Sequence, residues 1–325
     1  MRDNSSATTL VRPVIPSRTA TGLWWGLLGV AAFSFTVPFT RVAVGGLSPL
    51  FIGSGRAVVA AILAAFALAL TRQRLPRGRQ WARLAVVAAG IVVGFPLLTS
   101  FALTTAPASH GAVVIALLPA ATATAAVLRG REHPPIAFWL VTAVGAVVAI
   151  AFAMAQPGQP AQPGQPAQSG ALGQLNWADV LLLGAVIAAA IGYAEGGLLA
   201  RELGAWQTVS WALVLALPLM AGLTALSMSQ QPPSASPVQW AAFGYLGIVS
   251  MFFGFFAWYR GLAIGPMARV SQVQLIQPVL SICWAGLLLG ESLGWTTIVG
   301  GLAVIVCAGV AVRVRLNPQP AEQGR

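Results

Sequence analysis

The chain has 325 residues, of which 57% are hydrophobic and only 8% are charged, and its mean hydropathy is +0.80. Soluble domains carry about 25% charged residues, so this composition excludes an ordinary soluble protein and indicates a membrane protein. The formal net charge of +11 comes from 18 arginines without a single lysine. A nucleic-acid-binding protein clusters such charge on one soluble face, whereas here it is spread over short connections between apolar segments. We therefore expect a lipid bilayer as the environment and no nucleic-acid partner.

Ten segments of the chain are apolar and about as long as a membrane-spanning helix, which needs roughly 20 residues. In chain order these predicted helices are Leu23–Val44, Pro49–Leu70, Trp81–Leu103, Ser109–Leu128, Ile136–Met154, Trp177–Ala200, Thr208–Met228, Val238–Tyr259, Ala268–Leu289 and Trp295–Val312.

The arginines lie at alternating ends of these segments and thereby orient the chain. If the N-terminus is cytoplasmic, every arginine except Arg41 and Arg56 falls in or beside a cytoplasmic connection or tail. This distribution follows the positive-inside rule, because basic connections resist translocation. It predicts ten helices with both termini in the cytoplasm. The composition, rich in alanine and arginine and free of lysine, favours a bacterial protein and hence the cell inner membrane.

One long connection divides the ten helices into two sets of five. Residues 155–176 are rich in Gln, Pro and Gly and contain Gln-Pro-Gly-Gln-Pro-Ala twice, which predicts an extended, solvated external linker without a binding role. The other predicted domains are a disordered cytoplasmic tail at 1–20, five-helix repeats at 21–154 and 177–314, and a second cytoplasmic tail at 315–325.

The two halves resemble each other when the sequence is shifted by 159 positions, which aligns Leu103–Glu132 with Leu262–Glu291. Pro119 and Pro278, both inside predicted helices, then coincide, as do the glutamates that end the two stretches. Because five is an odd number, the second repeat must cross the membrane in the opposite orientation. Inverted repeats are typical of secondary transporters, in which two similar halves exchange conformations around a site near the midplane.

Several stretches of these two halves carry a family resemblance. They are Gly26–Arg41 with Leu47-Ser48-Pro49 and Arg56, Phe101–Thr105 through Pro119, Trp258–Leu262 through Pro278, and Leu287–Glu291. Together they resemble the EamA type of the drug/metabolite transporter superfamily, over roughly residues 22–314 outside the linker. The sequence departs from the family pattern at Leu128–Glu132, where an apolar-Gly-Glu turn is usual.

The resemblance implies an all-α integral membrane protein of ten helices in two inverted five-helix repeats. It also implies transport without direct ATP hydrolysis, since family members export amino acids, metabolites or drugs, or import various solutes. A chain without lysine has no Walker A motif, which agrees with this. We predict a secondary active transporter that exports small amphipathic metabolites such as amino acids, with import as the alternative. Coupling to protons or another ion, and homodimerisation, stay open.

Two further classes of protein are alternatives to a transporter. An intramembrane protease of the rhomboid type needs Gly-x-Ser-Gly, and Ile52–Gly55 lacks the first glycine. The two histidines form no two-His metal motif, so we expect no catalytic residue, no metal and no cofactor. A membrane protein that does not transport has no obvious use for an inverted repeat.

Charged residues inside predicted helices are candidates for a binding site or gate, because a charge near the bilayer centre costs at least about 2.5–3.5 kcal/mol. Arg41 and Arg56 could hold a substrate carboxylate or gate the outer mouth; alternatively they extend to head groups or pack against carbonyls at a helix end. Glu195 could bind a proton or an ammonium group. Alternatively it forms a salt bridge with an inner arginine such as Arg201 or Arg260.

Uncharged residues give a second set of candidates. Gln274 and Gln277 share a helix face just before Pro278 and could hydrogen-bond a solute; alternatively they bond neighbouring helices. Tyr259 could line a cavity or serve packing alone. Because an internal proline removes a backbone hydrogen bond, Pro119 and Pro278 are hinge candidates.

Three polar residues near helix ends are expected to have no role in transport. We predict His110 to lie at the interface and Asp179 and Glu202 to be solvated.

Overall fold

The computed structural model describes residues 18–130, 136–155, 176–264, 270 and 273–316, and helix is the only regular secondary structure among them. The first half contains α1 (Arg18–Ser34 and Thr36–Ala43), α2 (Pro49–Leu70), α3 (Arg79–Val87, Ala88–Gly94 and Phe95–Ala102), α4 (Ala108–Ile115 and Leu118–Gly130) and α5 (Ile136–Ala155). The second half contains α6 (Trp177–Leu203), α7 (Ala205–Gln230), α8 (Pro237–Tyr245, Leu246–Gly254 and Phe255–Ile264), α9 (Val273–Leu275 and Ile276–Leu289) and α10 (Trp295–Leu316).

Length and hydropathy make this a multi-pass membrane protein. Among the described residues, the stretches long and apolar enough to cross a bilayer are Ala20–Ala43, Pro49–Leu70, Arg79–Ala102, Ala108–Arg129, Trp177–Leu203, Ala205–Gln230 and Pro237–Ile264. Val273–Leu289 and Trp295–Cys307 are shorter apolar helices. The tail residues 1–17 and 317–325, most of the predicted linker (156–175) and Glu132 lie outside the described residues.

Local signals start and stop several of these helices. Ser48 caps α2 by accepting a hydrogen bond of 3.1 Å from the backbone N–H of Phe51, and Pro49 occupies the first turn, where its missing N–H costs nothing. A capping box formed by Ser236 and Gln239 starts α8. The helix Ile276–Leu289 of α9 is capped by Gly290, whose φ of 66° is the left-handed conformation that glycine adopts without strain.

Helices pack across the two halves in equivalent pairs. Helix α2 packs against α7, α4 against α9, and α5 against α10. The third helix of each half packs against the first helix of the other half: α3 lies against α6, and α8 against α1. Each contact therefore has a counterpart in the other half, which is the arrangement expected of an internal repeat.

The third helix of each half contains a π-helical segment, at Ala88–Gly94 in α3 and Leu246–Gly254 in α8. Ala88 and Gly247 are 159 positions apart, so the segments coincide under the offset that aligns the repeats. Neither segment contains a proline, so the feature they share is packing against the first helix of the opposite half. No pattern in the sequence indicates these segments, although π turns often occur at functional sites.

Helix α1 is interrupted at Phe35, beside a hydrogen bond that joins the two halves. Pro38 has no N–H to donate to the carbonyl of Ser34, four residues earlier. The hydroxyl of Ser281 on α9 donates to that carbonyl at 2.7 Å instead. A side chain of the second half thus replaces the backbone bond that the proline removes in the first half.

Pro119 and Pro278 also lie at irregular points of their helices. Helix α4 is interrupted at residues 116–117, directly before Pro119. Helix α9 begins as the 3-10 turn Val273–Leu275, and Pro278 lies in the first turn of the α-helix that follows. Both irregularities adjoin the prolines, as expected where a proline removes a backbone hydrogen bond; the hinge role of the prolines stays a prediction.

Candidate functional site

A small cavity lies between the halves at the contact of α1, α4 and α9. Its volume of about 10 Å³ accommodates roughly one water molecule, so the site is closed in this conformation. Four of the candidates chosen from the sequence meet here: Gln274, Gln277, Pro119 and Pro278. The other lining residues are Val37, Ala112, Ile115, Leu118 and Ser281.

The walls of this central pocket are related by the repeat but differ in chemistry. Ile115 and Leu118 on α4 correspond, 159 positions later, to Gln274 and Gln277 on α9. One wall is therefore aliphatic, and its counterpart carries two amides. A pocket of this kind suits a molecule with one apolar and one polar side.

The two amides in the central pocket are buried, and most of their polar atoms have no hydrogen-bond partner among the described residues. Gln274 is 2% exposed and Gln277 is 6% exposed. Among the described residues, no group bonds Nε2 or Oε1 of Gln274, or Oε1 of Gln277. An unsatisfied buried polar group costs about 1–3 kcal/mol, so these atoms favour a ligand that hydrogen-bonds them. The alternative role, in which both amides bond neighbouring helices, would require partners for these atoms that the described residues do not supply.

Arg56 on α2 is buried at 2% exposure and does not reach solvent. The structure gives its guanidinium one hydrogen bond, of 3.3 Å, to the hydroxyl of Thr99 on α3, and its Nε is unpartnered. No carboxylate in the described chain forms an ion pair with it. A buried cation without an anion is costly, which makes Arg56 a candidate to receive one. It does not line the central pocket.

Arg41 packs against carbonyls at a helix end, one of the alternatives weighed from the sequence. Its Nη1 donates to the carbonyls of Leu103 and Thr104 at 2.8 and 2.9 Å. These carbonyls directly follow α3 and have no helical partner. Arg41 and Arg56 thus bond different groups, about one turn apart near the end of α3, and do not form a joint clamp.

Glu195 on α6 joins the two halves through ion pairs. Its carboxylate contacts Nε of Arg83 on α3 and lies 2.7 Å from Nε of Arg129 on α4. Arg83 also pairs with Glu202. Glu195 therefore forms salt bridges with arginines, as the salt-bridge alternative holds, but its partners are not the two named from the sequence. Glu202, which we expected to be merely solvated, is half exposed and paired.

A second polar cluster lies at the start of α4. The backbone N–H groups of Ala108 and Ser109 donate to the two carboxylate oxygens of Glu291, at 2.7 and 2.9 Å. Beside them, Nε2 of His110 lies 2.6 Å from Oδ1 of Asp179. Asp179 is 1% exposed, so the expectation that it is solvated was wrong.

Part of this second cluster was readable from the sequence. Asn176 and Asp179 form a capping box at the start of α6, and the spacing of an Asn three residues before an Asp indicates such a box. The pairing with His110 depends on the packing of α4 against α6, which no local pattern reveals.

Tyr259 on α8 is fully buried, and its hydroxyl donates to the carbonyl of Gly192 on α6 at 3.2 Å. It lines neither the central pocket nor the larger crevice described below. Its contacts in this conformation are those of a packing residue. No group of three or more His, Cys, Asp or Glu side chains in the described part of the chain could hold a metal ion.

Comparisons with known proteins identify similar membrane transporters. The model of the EamA-like transporter family matches residues 20–155 and 176–313, once in each half. An uncharacterized transporter of Bacillus subtilis (strain 168), YdeK, is 40% identical over 305 residues, which cover 91% of this chain and 99% of that protein. A solved structure described only as a crystal structure of a protein has a TM-score of 0.59 at 18% identity, covering 92% of this chain and 99% of its own. The structural likeness shows a shared fold alone.

Proposed function

The chain belongs to the EamA-like transporter family, and on that premise we propose that it is a secondary active transporter exporting small amphipathic metabolites such as amino acids. The observation that carries this proposal is the closed central pocket with its unpartnered amides. Gln274 and Gln277 offer hydrogen bonds on one wall, and Ile115 and Leu118 offer an apolar surface on the other. An amphipathic solute satisfies both walls at once.

Alternating access explains why the pocket has no room for such a solute in this conformation. The pocket lies where equivalent helices α4 and α9 meet, so a relative movement of the halves opens it first to one side and then to the other. Pro119 and Pro278 are the proposed hinges. Polar contacts join the halves on either side of the pocket: Glu291 with the start of α4, and Glu195 with two arginines.

The substrate carries a carboxylate in this proposal. Arg56 is buried and has no carboxylate partner among the described residues, whereas Arg41 is occupied by two carbonyls. We assign Arg56 to the substrate carboxylate when the path opens. Coupling to a proton or another ion is proposed without an assigned residue, since Glu195 is already paired with two arginines.

The proposed topology is ten helices in two inverted repeats in a bacterial inner membrane, with both termini cytoplasmic. The distribution of arginine supports this orientation. Export is the proposed direction, import is the alternative that the family resemblance also allows, and the direction is to be tested. The proposed mechanism needs one copy of the chain and is compatible with a homodimer.

Export by cells and uptake by sealed vesicles test this function. Cells that overproduce the protein would be challenged with toxic amino acids and their analogues, beside a Gln274→Leu variant. Gln207→Leu is the matched control, because Gln207 is a part-buried amide outside the pocket that bonds Gln73 at 3.3 Å. We expect Gln274→Leu to lower transport at least about fivefold through the lost hydrogen bonds, and Gln207→Leu to leave it unchanged.

Two outcomes would overturn this proposal. Equal transport by the two variants would remove the pocket amide from the mechanism. Accumulation in right-side-out vesicles together with greater sensitivity of the cells would reverse the direction and make the protein an importer.

A further inference from the structure

A crevice separate from the central pocket lies between α3, α4 and α6, beside the ion pairs of Glu195 with Arg83 and Arg129. Its volume is about 540 Å³. Arg79, Arg83 and Arg129 line one end, and Val86, Leu128 and Ile191 line the other. Helices α3 and α4 belong to the first half and α6 to the second, so the crevice lies across the boundary between the halves.

The helical spacing explains why this crevice is amphipathic. Arg79, Arg83 and Val86 lie four and three residues apart on one face of α3, so the chain passes from charge to apolar surface as it enters the membrane. At the end of α4, the adjacent Leu128 and Arg129 both line the crevice as well. The apolar side chains are exposed: Val86 by 41%, Leu128 by 69% and Ile191 by 46%. Cationic and apolar surfaces thus adjoin along the crevice.

The charged end of the crevice is only partly neutralised. Glu195 binds Arg83 and Arg129, and Glu202 binds Arg83, but no acidic side chain in the described chain pairs with Arg79. The side chain of Arg129 is still 52% exposed. The exposed connection that precedes α3 adds three more arginines, Arg72, Arg74 and Arg77. The end of the crevice therefore favours an anion.

We propose that this crevice is a binding site for one anionic phospholipid of the cytoplasmic leaflet. The phosphate lies between the guanidinium groups of Arg79 and Arg129, which suit phosphate because of their planar donor geometry. An acyl chain runs along Val86, Leu128 and Ile191. A small anion alone would leave the apolar part of the crevice uncovered, and a zwitterionic head group would bring a second cation to an already cationic end. The bound lipid contacts both halves at once.

Native mass spectrometry of the full-length protein in detergent tests this site. The protein would be titrated with phosphatidylglycerol or phosphatidylcholine, and the bound lipids counted. We expect one phosphatidylglycerol to bind in preference to phosphatidylcholine. Arg79→Gln should weaken that lipid about tenfold, because a hydrogen bond to a charged group is lost, and should preserve folding, because Arg79 is exposed and pairs with no described carboxylate.

Two further variants separate a site from general attraction. Arg77→Gln makes the same change of charge in the exposed connection, outside the crevice lining, and should leave phosphatidylglycerol binding unchanged. Leu128→Trp changes no charge but obstructs the apolar part of the crevice, and it should weaken phosphatidylglycerol binding as well. Equal affinity for the two lipids, or equal loss in Arg79→Gln and Arg77→Gln, would contradict the proposal. Displacement of the lipid by an equal concentration of glycerol phosphate would show a site for a soluble anion instead and would also overturn it.

Discussion

Glu291 of the second half caps the start of α4 in the first half: its Oε1 accepts a hydrogen bond of 2.7 Å from the backbone N–H of Ala108. Its Oε2 accepts another, of 2.9 Å, from Ser109. A carboxylate at a helix N-terminus satisfies unpaired N–H groups and interacts favourably with the helix dipole. One side chain thus holds the start of α4 to the residue that follows the end of α9, its counterpart in the other half.

Glu291→Gln should therefore destabilise the folded protein, because the amide keeps at most one acceptor and loses the charge. We expect a loss of about 1–2 kcal/mol in the free energy of unfolding, measured as a lower melting temperature in detergent. Glu202→Gln is the control, since that carboxylate is half exposed and bonds one arginine, and it should change the melting temperature less. The same decrease in both variants would argue against a specific cap.

Arg56→Met should separate stability from transport. Removing a buried cation that has no carboxylate partner among the described residues should leave the melting temperature unchanged or raise it. Transport of substrates with a carboxylate should fall about 10- to 100-fold, because a charged hydrogen bond is lost. Vesicle transport and thermal unfolding, measured on the same preparations, check the predicted loss of transport and the predicted melting temperature.

Arg41→Met is the matched control for the Arg56 variant. It leaves two carbonyls at the end of α3 without their donor and should lower the melting temperature. If Arg56→Met unfolds the protein while Arg41→Met is neutral, the assignment of Arg56 to substrate binding is wrong and its role is structural.

Gly90 should be intolerant of a side chain, because it lies where the π segment of α3 crosses α6. A Cβ on Gly90 would lie 3.0 Å from Cα of Gly192 and closer still to the carbonyl oxygen of Ala188. Since backbone atoms cannot move aside easily, Gly90→Ala should destabilise the protein by about 1–3 kcal/mol.

Gly222→Ala in α7 provides a control of opposite sign. A Cβ there would meet no atom within 4 Å, and alanine favours a helix over glycine by up to about 1 kcal/mol. Thermal unfolding of the two variants measures the contrast. If Gly90→Ala left the melting temperature unchanged, α3 and α6 would not cross as closely as in this structure.

The ion pairs of Glu195 should couple the two halves energetically. In a double-mutant cycle, Glu195→Gln and Arg129→Gln should show a coupling of about 0.5–1 kcal/mol, a small value because Arg129 is half exposed and solvent screens the pair. Arg201→Gln, which removes an exposed arginine beside the cluster, should show no coupling to Glu195→Gln. Additive effects in both cycles would mean that the pair between Glu195 and Arg129 contributes nothing.

Helix periodicity and composition predicted a good part of this structure. The apolar run Pro49–Leu70 coincides with α2. The proline marks where the helix begins, and the end of the apolar run marks where it ends. The repeat offset aligned Pro119 with Pro278 in the sequence, and both residues line one pocket with Gln274 and Gln277. Exposing an amide to lipid is costly, so an amide within a membrane helix is expected to face the protein interior. The sequence alone therefore indicates that Gln274 and Gln277 point inward.

Features that depend on contacts between distant helices could not be predicted. The π segments arise where α3 and α8 pack against the first helix of the opposite half, and no residue pattern within them indicates it. The partner of Glu195 was expected among several inner arginines, but only the crossing of helices selects Arg83 and Arg129. His110 was expected at the interface and Asp179 in solvent, because the sequence neighbours of each residue say nothing about the other; both are buried.

The most direct test of the account is the accessibility of a single cysteine in the central pocket from the two sides of the membrane. Cys283 and Cys307 would first be replaced by serine, and Ile115→Cys would then be labelled with a membrane-impermeant thiol reagent in right-side-out and in inside-out vesicles. Alternating access predicts labelling from both sides, with the balance shifted by a transported substrate. Labelling from one side only, or from neither, under conditions in which the protein transports, would contradict a pathway through this pocket.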